Sequence, residues 1–396
     1  MLNVPTKEEL EGRLKKLENK LNENVSNWDT AIIISKVNQY YFTGTMQDGL
    51  LILKKEGDYS YFVRRSYSRA IDESPLEYIY PMDGYKDILE KISENLGVCL
   101  IETETFTYGI LERLKKYFKI SEIKPIERFI SNIRAIKSPY ELSIIRESGF
   151  QHDYLLKEIV PTLLREGMSE ADLAAEIYEK SIKLGYHGVS RFSMFQMDLG
   201  MGQIGFGENS LYPTSFDGPG GNVGMSPAVP FVGSRERKLK KGDLVFADIG
   251  YGINGYHTDK TTVYLFGGKV NEDIKHIQKR LIEIEKLTAS LLKVGNIPSD
   301  IYNSVMSEID ESFLENFMGF GSRKVKFLGH GVGLHIDEMP VIANCFKEPL
   351  QENMVIALEP KKGIKGFGMI GVEDTYLVTN EGGLCLTGEG REIIEL

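Results

Sequence analysis

Asp248, Asp259, His330, Glu359 and Glu373 make up a donor set for two divalent metal ions, and a pair of such ions points to hydrolysis. Each stands in a short glycine-bearing or strand-like phrase: VFADIG, GYHTDKT, FLGHGVGL, IALEP and GVEDTYLV. A carboxylate closing an apolar run is costly to bury without a positive partner, and here the pattern occurs four times. Brought together, the four would repel and raise one another's pKa values, so two cations are the natural way to keep them ionised. The glycines around His330 leave room for backbone to approach an ion. An oxygen-rich shell with a single imidazole suits manganese, cobalt or another borderline ion better than a thiolate-preferring one. The expected cofactor is therefore two divalent ions per subunit, manganese first, with cobalt or zinc as alternatives. Two ions ~3.5–4 Å apart would activate a bridging water and polarise a carbonyl.

Turn spacing supplies the elements that must hold these residues. In DLVFADIGYGINGYHTDKTTVYLFG, apolar strands flank Asn254-Gly255, a strong signal for a tight hairpin. With those two residues as the loop, Asp248 pairs opposite Thr261, and Asp259 lies diagonally on the same face, about 7–8 Å away at the backbone. Glu359 and Glu373 stand at equal distances from Gly366, the centre of a second turn. Two hairpins then converge four carboxylates.

The rest of the chain reads as a scaffold. Its 396 residues are 42% hydrophobic and 26% charged, enough for about two or three globular domains. A formal charge of −10 without a basic block argues against a nucleic-acid or anionic-membrane surface. Three widely spaced cysteines, Cys99, Cys345 and Cys385, fit reduced thiols rather than a disulfide framework. The opening residues turn charged at once, without an apolar h-region, and no stretch approaches the ~18 apolar residues of a membrane span, so a cytoplasmic protein is expected. Leu10, Leu14, Leu17 and Leu21 predict an amphipathic helix over residues 7–23. The runs TAIIIS, GLLILKK, YSYFVRR and VCLIETET read as strands, with YKDILEKISEN and YGILERLKKYF as helices between them. This alternation predicts an α/β (α+β) chain. Arg64 and Arg65 read as solvated surface residues. Near IRAIKSPYEL a second domain begins, its helix opened by Ser138-Pro139; Ser169 and Asp172 then resemble a capping box, with Gly185 closing that helix. The glycine-rich tract MDLGMGQIGFGENS…FDGPGGNVGMSP lacks a phosphate-loop ending and reads as irregular loops lining a site.

These phrases resemble the creatinase/aminopeptidase P/prolidase family of metallopeptidases, the M24 family, with 11 residues between the aspartates and 14 between the glutamates. The resemblance covers nearly the whole chain. It implies a creatinase-like α/β domain over residues 1–133 and a pita-bread catalytic domain over 134–396. It further implies that Asp248 chelates one ion, Asp259 and Glu373 bridge both, and His330 and Glu359 complete the other site, with Glu359 also the base for the metal-bridging water. The implied activity is that of an Xaa-Pro dipeptidase or aminopeptidase on small peptides, usually as a homodimer.

Three positions depart from the family pattern. Phe231 stands where the peptidases carry a histidine 17 residues before the first aspartate, Asp337 stands where a second histidine follows the metal histidine, and Thr262 replaces an arginine. His335 shares a face with Asp337 in an extended segment and is a candidate to take over the missing imidazole's catalytic role. Asp337 is a candidate to bind a substrate amino group. His187, just past a helix end, is a further substrate-site candidate or simply complements the helix dipole. His152, His257 and His276 read as ordinary residues, His257 being near enough to Asp259 to support the ligands from behind. Two other readings stay open: the same fold and metal centre acting on a non-proline amide, or a peptide-binding member without turnover.

Overall fold

Leu10, Leu14, Leu17 and Leu21 are all buried along one face of the helix Lys7–Asn24, which Thr6 caps by accepting a hydrogen bond from the Glu9 amide. The computed structural model describes residues 4–194 and 200–396, in two compact units, Met1–Arg134 and Ala135–Leu396. Residues 197–199 of the glycine-rich tract lie outside the described residues.

The first unit is built on a six-stranded mixed sheet. Across it run Ile79–Pro81, Tyr59–Arg65, Asp48–Lys54, Thr30–Ile33, Asn95–Ile101 and Lys119–Pro125. The four strands legible in the sequence are the inner ones. Both edge strands escape an apolar-run reading because they are short or polar; Lys119–Pro125 is KISEIKP, whose charges and terminal proline discourage further pairing. The stretch YKDILEKISEN, expected to be helical, forms only a single 3-10 turn at Asp87–Glu90. Ile88 is its one fully buried side chain up to Glu94, too little to stabilise a helical stripe.

The second unit carries a five-stranded antiparallel sheet in the order Glu338–Ala343, Phe327–Gly331, Val355–Leu358, Asp374–Val378, Gly383–Cys385. A four-stranded sheet runs Ile394–Glu395, Tyr256–Leu265, Leu244–Ile253, Gly202–Phe206. Ser138 and Ser169 both close reciprocal capping boxes, with Glu141 and Asp172, and Gly185 takes φ +96° just beyond the helix Glu170–Lys183. Part of the glycine-rich tract departs from the loop expectation: Gly202–Phe206 is a strand paired with Leu244–Ile253. A Cβ on Gly202 would stand 2.0 Å from the Asp248 carbonyl oxygen and one on Gly205 2.9 Å from Ser210, so these glycines serve close backbone packing. Among the described residues no helix is long and apolar enough to cross a membrane.

Candidate metal centre

The aspartates come from one hairpin. Leu244–Ile253 and Tyr256–Leu265 pair around Asn254-Gly255, both at positive φ, placing Asp248 opposite Thr261 and Asp259 opposite Gly250, the expected register. Both faces of this hairpin are buried. Leu244, Phe246, Val263 and Leu265 enter one core; Val245, Ala247, Ile249 and Tyr264 enter another. Strand alternation therefore puts Asp248, Asp259 and Thr261 on the first of these faces.

The glutamates sit where the chain passes between two pairings. Leu358 pairs with Asp374 in the five-stranded sheet, and Lys361–Ile364 pairs with Gly368–Gly371 in a hairpin of its own. Glu359 and Glu373 lie between, symmetric about Gly366. The Thr261 amide donates to the Glu373 carbonyl at 3.2 Å, joining the aspartate and glutamate hairpins directly. His330 arrives on Phe327–Gly331, opposite Ala357. Its glycine neighbours serve the sheet rather than an ion: a Cβ on Gly329 or Gly331 would lie 2.2 Å from the carbonyl of Ala357 or Met339.

All four carboxylates are buried, and His330 is nearly so. His330 Nε2 lies 3.6 Å from Glu359 Oε1 and 3.8 Å from Glu373 Oε1. Its Nδ1 lies 3.1 Å from the Gly331 carbonyl, so the proton belongs on Nδ1 and the Nε2 lone pair faces the acids. Donor atoms of Asp259, His330 and Glu373 gather within 4.8 Å of one another, a spacing that could hold a metal ion. Glu373 Oε1 is buried without a hydrogen-bond partner among the described residues, as an atom reserved for a cation would be.

One residue in the pocket was not anticipated. Lys361, fully buried, sets its Nζ 2.6 Å from Glu373 Oε2, 2.9 Å from Glu359 Oε2 and 3.1 Å from Asp248 Oδ2. The Thr261 hydroxyl adds contacts of 2.8 Å to Asp248 Oδ1 and 3.0 Å to Glu373 Oε2. In sequence Lys361 and Lys362 look like charges on a solvated turn. The signal was there in the register: Lys361 falls on the same face as Glu359 and opposite Gly371, whose missing side chain makes room for it.

Electrostatics follow from burial. Desolvation pulls the Lys361 ammonium down, but Asp248, Glu359 and Glu373 outweigh it and hold it well above its ordinary range. Asp259 and Glu373 are driven well up, first by burial and then by neighbouring acids that Lys361 only partly offsets. Glu359 is raised to about 7 by burial, against Lys361 and with Asp248 and Asp217 adding to the rise.

The remaining candidates have partners of their own. Asp337 accepts hydrogen bonds from the Ser193 amide and hydroxyl at 3.0 and 3.2 Å; burial raises its pKa, while Ser193 and nearby His330 oppose the rise. His335 is half-buried, its amide bonded to Glu338 Oε1 at 2.8 Å. Phe231 is half-buried in the loop before Leu244–Ile253, beside Val232 and Gly233 at positive φ. His187 accepts from the Gly255 amide through Nδ1 and donates to the Val189 carbonyl through Nε2, which fastens the tip of the aspartate hairpin. His257 bonds the Gly333 carbonyl through Nδ1, so it supports the loop after His330 rather than a ligand carboxylate. Burial depresses both imidazoles, His187 to about 3 and His257 to about 4. His152 meets the Thr258 hydroxyl in the core, and His276 lies exposed on its helix.

Residues 143–380 match the model of Metallopeptidase family M24, and residues 13–136 match the Creatinase/Prolidase N-terminal domain. The chain belongs to the metallopeptidase family M24. It is 29% identical over 386 residues to an Xaa-Pro dipeptidase of Pyrococcus furiosus, covering 96% of this chain and 99% of that one. Among solved structures it resembles the prolidase from Pyrococcus horikoshii, with TM-score 0.79, 25% identity and coverage of 97% and 100% of the two chains. An Xaa-Pro dipeptidase from Bacillus anthracis shares the fold, with TM-score 0.79 at 21% identity, over 98% and 100% of the two chains. The two-domain creatinase-like and pita-bread architecture, expected from the sequence, is thereby shown, as is the reaction class, peptide hydrolysis by a metallopeptidase.

Proposed function

We propose that this member of the M24 family is a metal-dependent dipeptidase that cleaves Xaa-Pro dipeptides. The observation that carries the reading is the convergence of Asp248, Asp259, His330, Glu359 and Glu373 in one buried pocket, within a chain matched almost end to end by Pyrococcus Xaa-Pro dipeptidases. A divalent ion held there, manganese before cobalt or zinc, supplies Lewis acidity toward the scissile carbonyl and acidifies water. Glu359, near neutrality, is suited to take a proton from the attacking water and return it to the leaving amine. Asp337, fixed by the Ser193 amide and hydroxyl, offers a negative site for a substrate ammonium. His335, two residues away, is the candidate to stabilise developing charge in place of the family histidine, with Phe231 and His187 bounding the substrate side. A homodimer accompanies this reading, as does a reducing, cytoplasmic setting, which the three free cysteines support.

The test is hydrolysis of a panel of Xaa-Pro and Xaa-Ala dipeptides by metal-stripped protein with manganese, cobalt or zinc restored. Cleavage of the proline peptides should need metal, fall roughly 10²–10⁴-fold in kcat in Glu359→Gln, and fall by ~10²–10³ in His335→Ala at unchanged metal content. Unchanged turnover in His335→Ala removes that residue's role, and cleavage of Xaa-Ala alone moves the substrate to a non-proline amide.

A further inference from the structure

Lys361 occupies the space that a cation would otherwise fill. Its Nζ contacts one oxygen each of Asp248, Glu359 and Glu373 at 2.6–3.1 Å, a carboxylate cradle of the kind a divalent ion takes. Asp248, expected to chelate an ion, has Oδ1 engaged by the Thr261 hydroxyl and Oδ2 by Lys361. The other half of the pocket is different. Glu373 turns its second oxygen, buried and unpartnered, toward the His330 Nε2 lone pair, and Asp259 completes a cluster with both. We propose that Lys361 permanently replaces one of the two metal ions of this centre, so that the chain binds a single divalent ion, through Asp259, His330 and Glu373. The inference deepens the metallopeptidase reading and rests on it for the ion's presence.

Charge is consistent with it: four buried carboxylates and one buried ammonium leave a net negative pocket, which one divalent ion beside the ammonium brings to within a single charge of neutrality. Nor does the ammonium have an easy way out. Lys361 belongs to a paired strand, and its backbone and stem lie 2.7–2.8 Å from where a Cβ on Gly371 would be, so the partner strand is shaped around it.

The experiment counts ions. Metal-stripped wild type is titrated with manganese chloride alone, and bound manganese per chain is measured by mass spectrometry after gel filtration. Electron paramagnetic resonance then distinguishes the hyperfine pattern of an isolated ion from the spectrum of an exchange-coupled pair. Wild type should bind one ion with the isolated pattern, Lys361→Ala should bind two with a coupled spectrum, and Asp259→Asn should lose the wild-type ion. Two ions in wild type, or none, would overturn the proposal, as would one ion in a folded Lys361→Ala. If Lys361→Ala does not fold, the wild-type count and spectrum decide alone. Failure here is separable from failure of the peptidase reading: hydrolysis with two coupled ions refutes only the role of Lys361, and one bound ion without hydrolysis refutes only the activity.

Discussion

Adjacent residues on two strands of the second unit build two buried charged clusters on opposite faces. Asp259 is followed by Lys260 and Glu373 by Asp374, and strand alternation sends the members of each pair apart. On one face, Asp248, Glu359 and Glu373 share the single ammonium of Lys361, with Asp259 clustered beside Glu373. On the other, Lys260 pairs with Asp374 and lies 3.8 Å from Asp153, which also pairs with Arg391, and the Thr387 hydroxyl donates to Asp374. Glu285, fully buried beside this second group, has both carboxylate oxygens unpartnered among the described residues, and burial followed by Asp374 raises its pKa well above the ordinary range, against Lys260. The second cluster thus balances its charges with its own lysine, arginine and a proton. The first leaves carboxylates in excess, arranged around an imidazole lone pair, and that deficit distinguishes a site from a structural ion network.

The largest effect should come from breaking the balanced cluster. Lys260→Met leaves Asp374 buried without its cation and should destabilise the fold by about 3–5 kcal/mol, read from urea unfolding. Replacing both partners, Lys260→Met with Asp374→Leu, should recover most of the loss, because no uncompensated charge then remains. A single-variant cost below about 1 kcal/mol would mean that the pair is not the element that neutralises this face.

The two clusters also differ in how far the sequence revealed them. The convergence of the four carboxylates was legible because glycine-punctuated turns at Asn254-Gly255 and Gly366 fix register, and register fixes which side chains share a face. Buried lysines were not, since Lys260 in HTDKTT and Lys361 in PKKG carry the composition of solvated segments and become interior only through strands brought together from distant sequence. The same limit hid the outer strands of the first unit, where Lys119–Pro125 is too polar to announce itself, and made a single buried isoleucine in YKDILEKISEN look like a helix. Local turn chemistry is written locally; charge neutralisation is a property of the assembled sheets.

An intermediate effect separates the clusters by pH. Glu285 lies against Asp374 and Lys260, with the charge of Glu373, the neighbouring Lys286 and the Tyr376 hydroxyl also acting in its surroundings. A carboxyl raised in the fold keeps its proton while the unfolded chain loses it above ~4.3, so stability contributed by the protonated form is lost as pH rises from there toward the folded value. The slope is about 1.4 kcal/mol per pH unit. Glu285→Gln removes that titration, so its stability relative to wild type should rise between pH 5 and pH 7, at no more than that slope. Parallel stability curves over that interval would show that Glu285 is ionised in the fold and that the second cluster carries an uncompensated charge after all.

The smallest effect concerns the face that is left negative. One Thr261 hydroxyl proton serves both Asp248 Oδ1 and Glu373 Oε2, and can satisfy only one of them at a time. Thr261→Val keeps the shape and removes that donor, and should cost about 1.5 kcal/mol in metal-free protein, the low end for a hydrogen bond to a charged group, because Lys361 still holds the other Asp248 oxygen and Glu373 Oε2. With manganese bound the cost should shrink, since the added positive charge relieves the carboxylates whose repulsion makes the lost donor expensive. Urea unfolding of wild type and Thr261→Val, each with and without manganese, measures both values. An equal cost in the two states would mean that the hydroxyl acts on the hairpins alone, and that the excess charge around Lys361 does not govern how tightly this face is held.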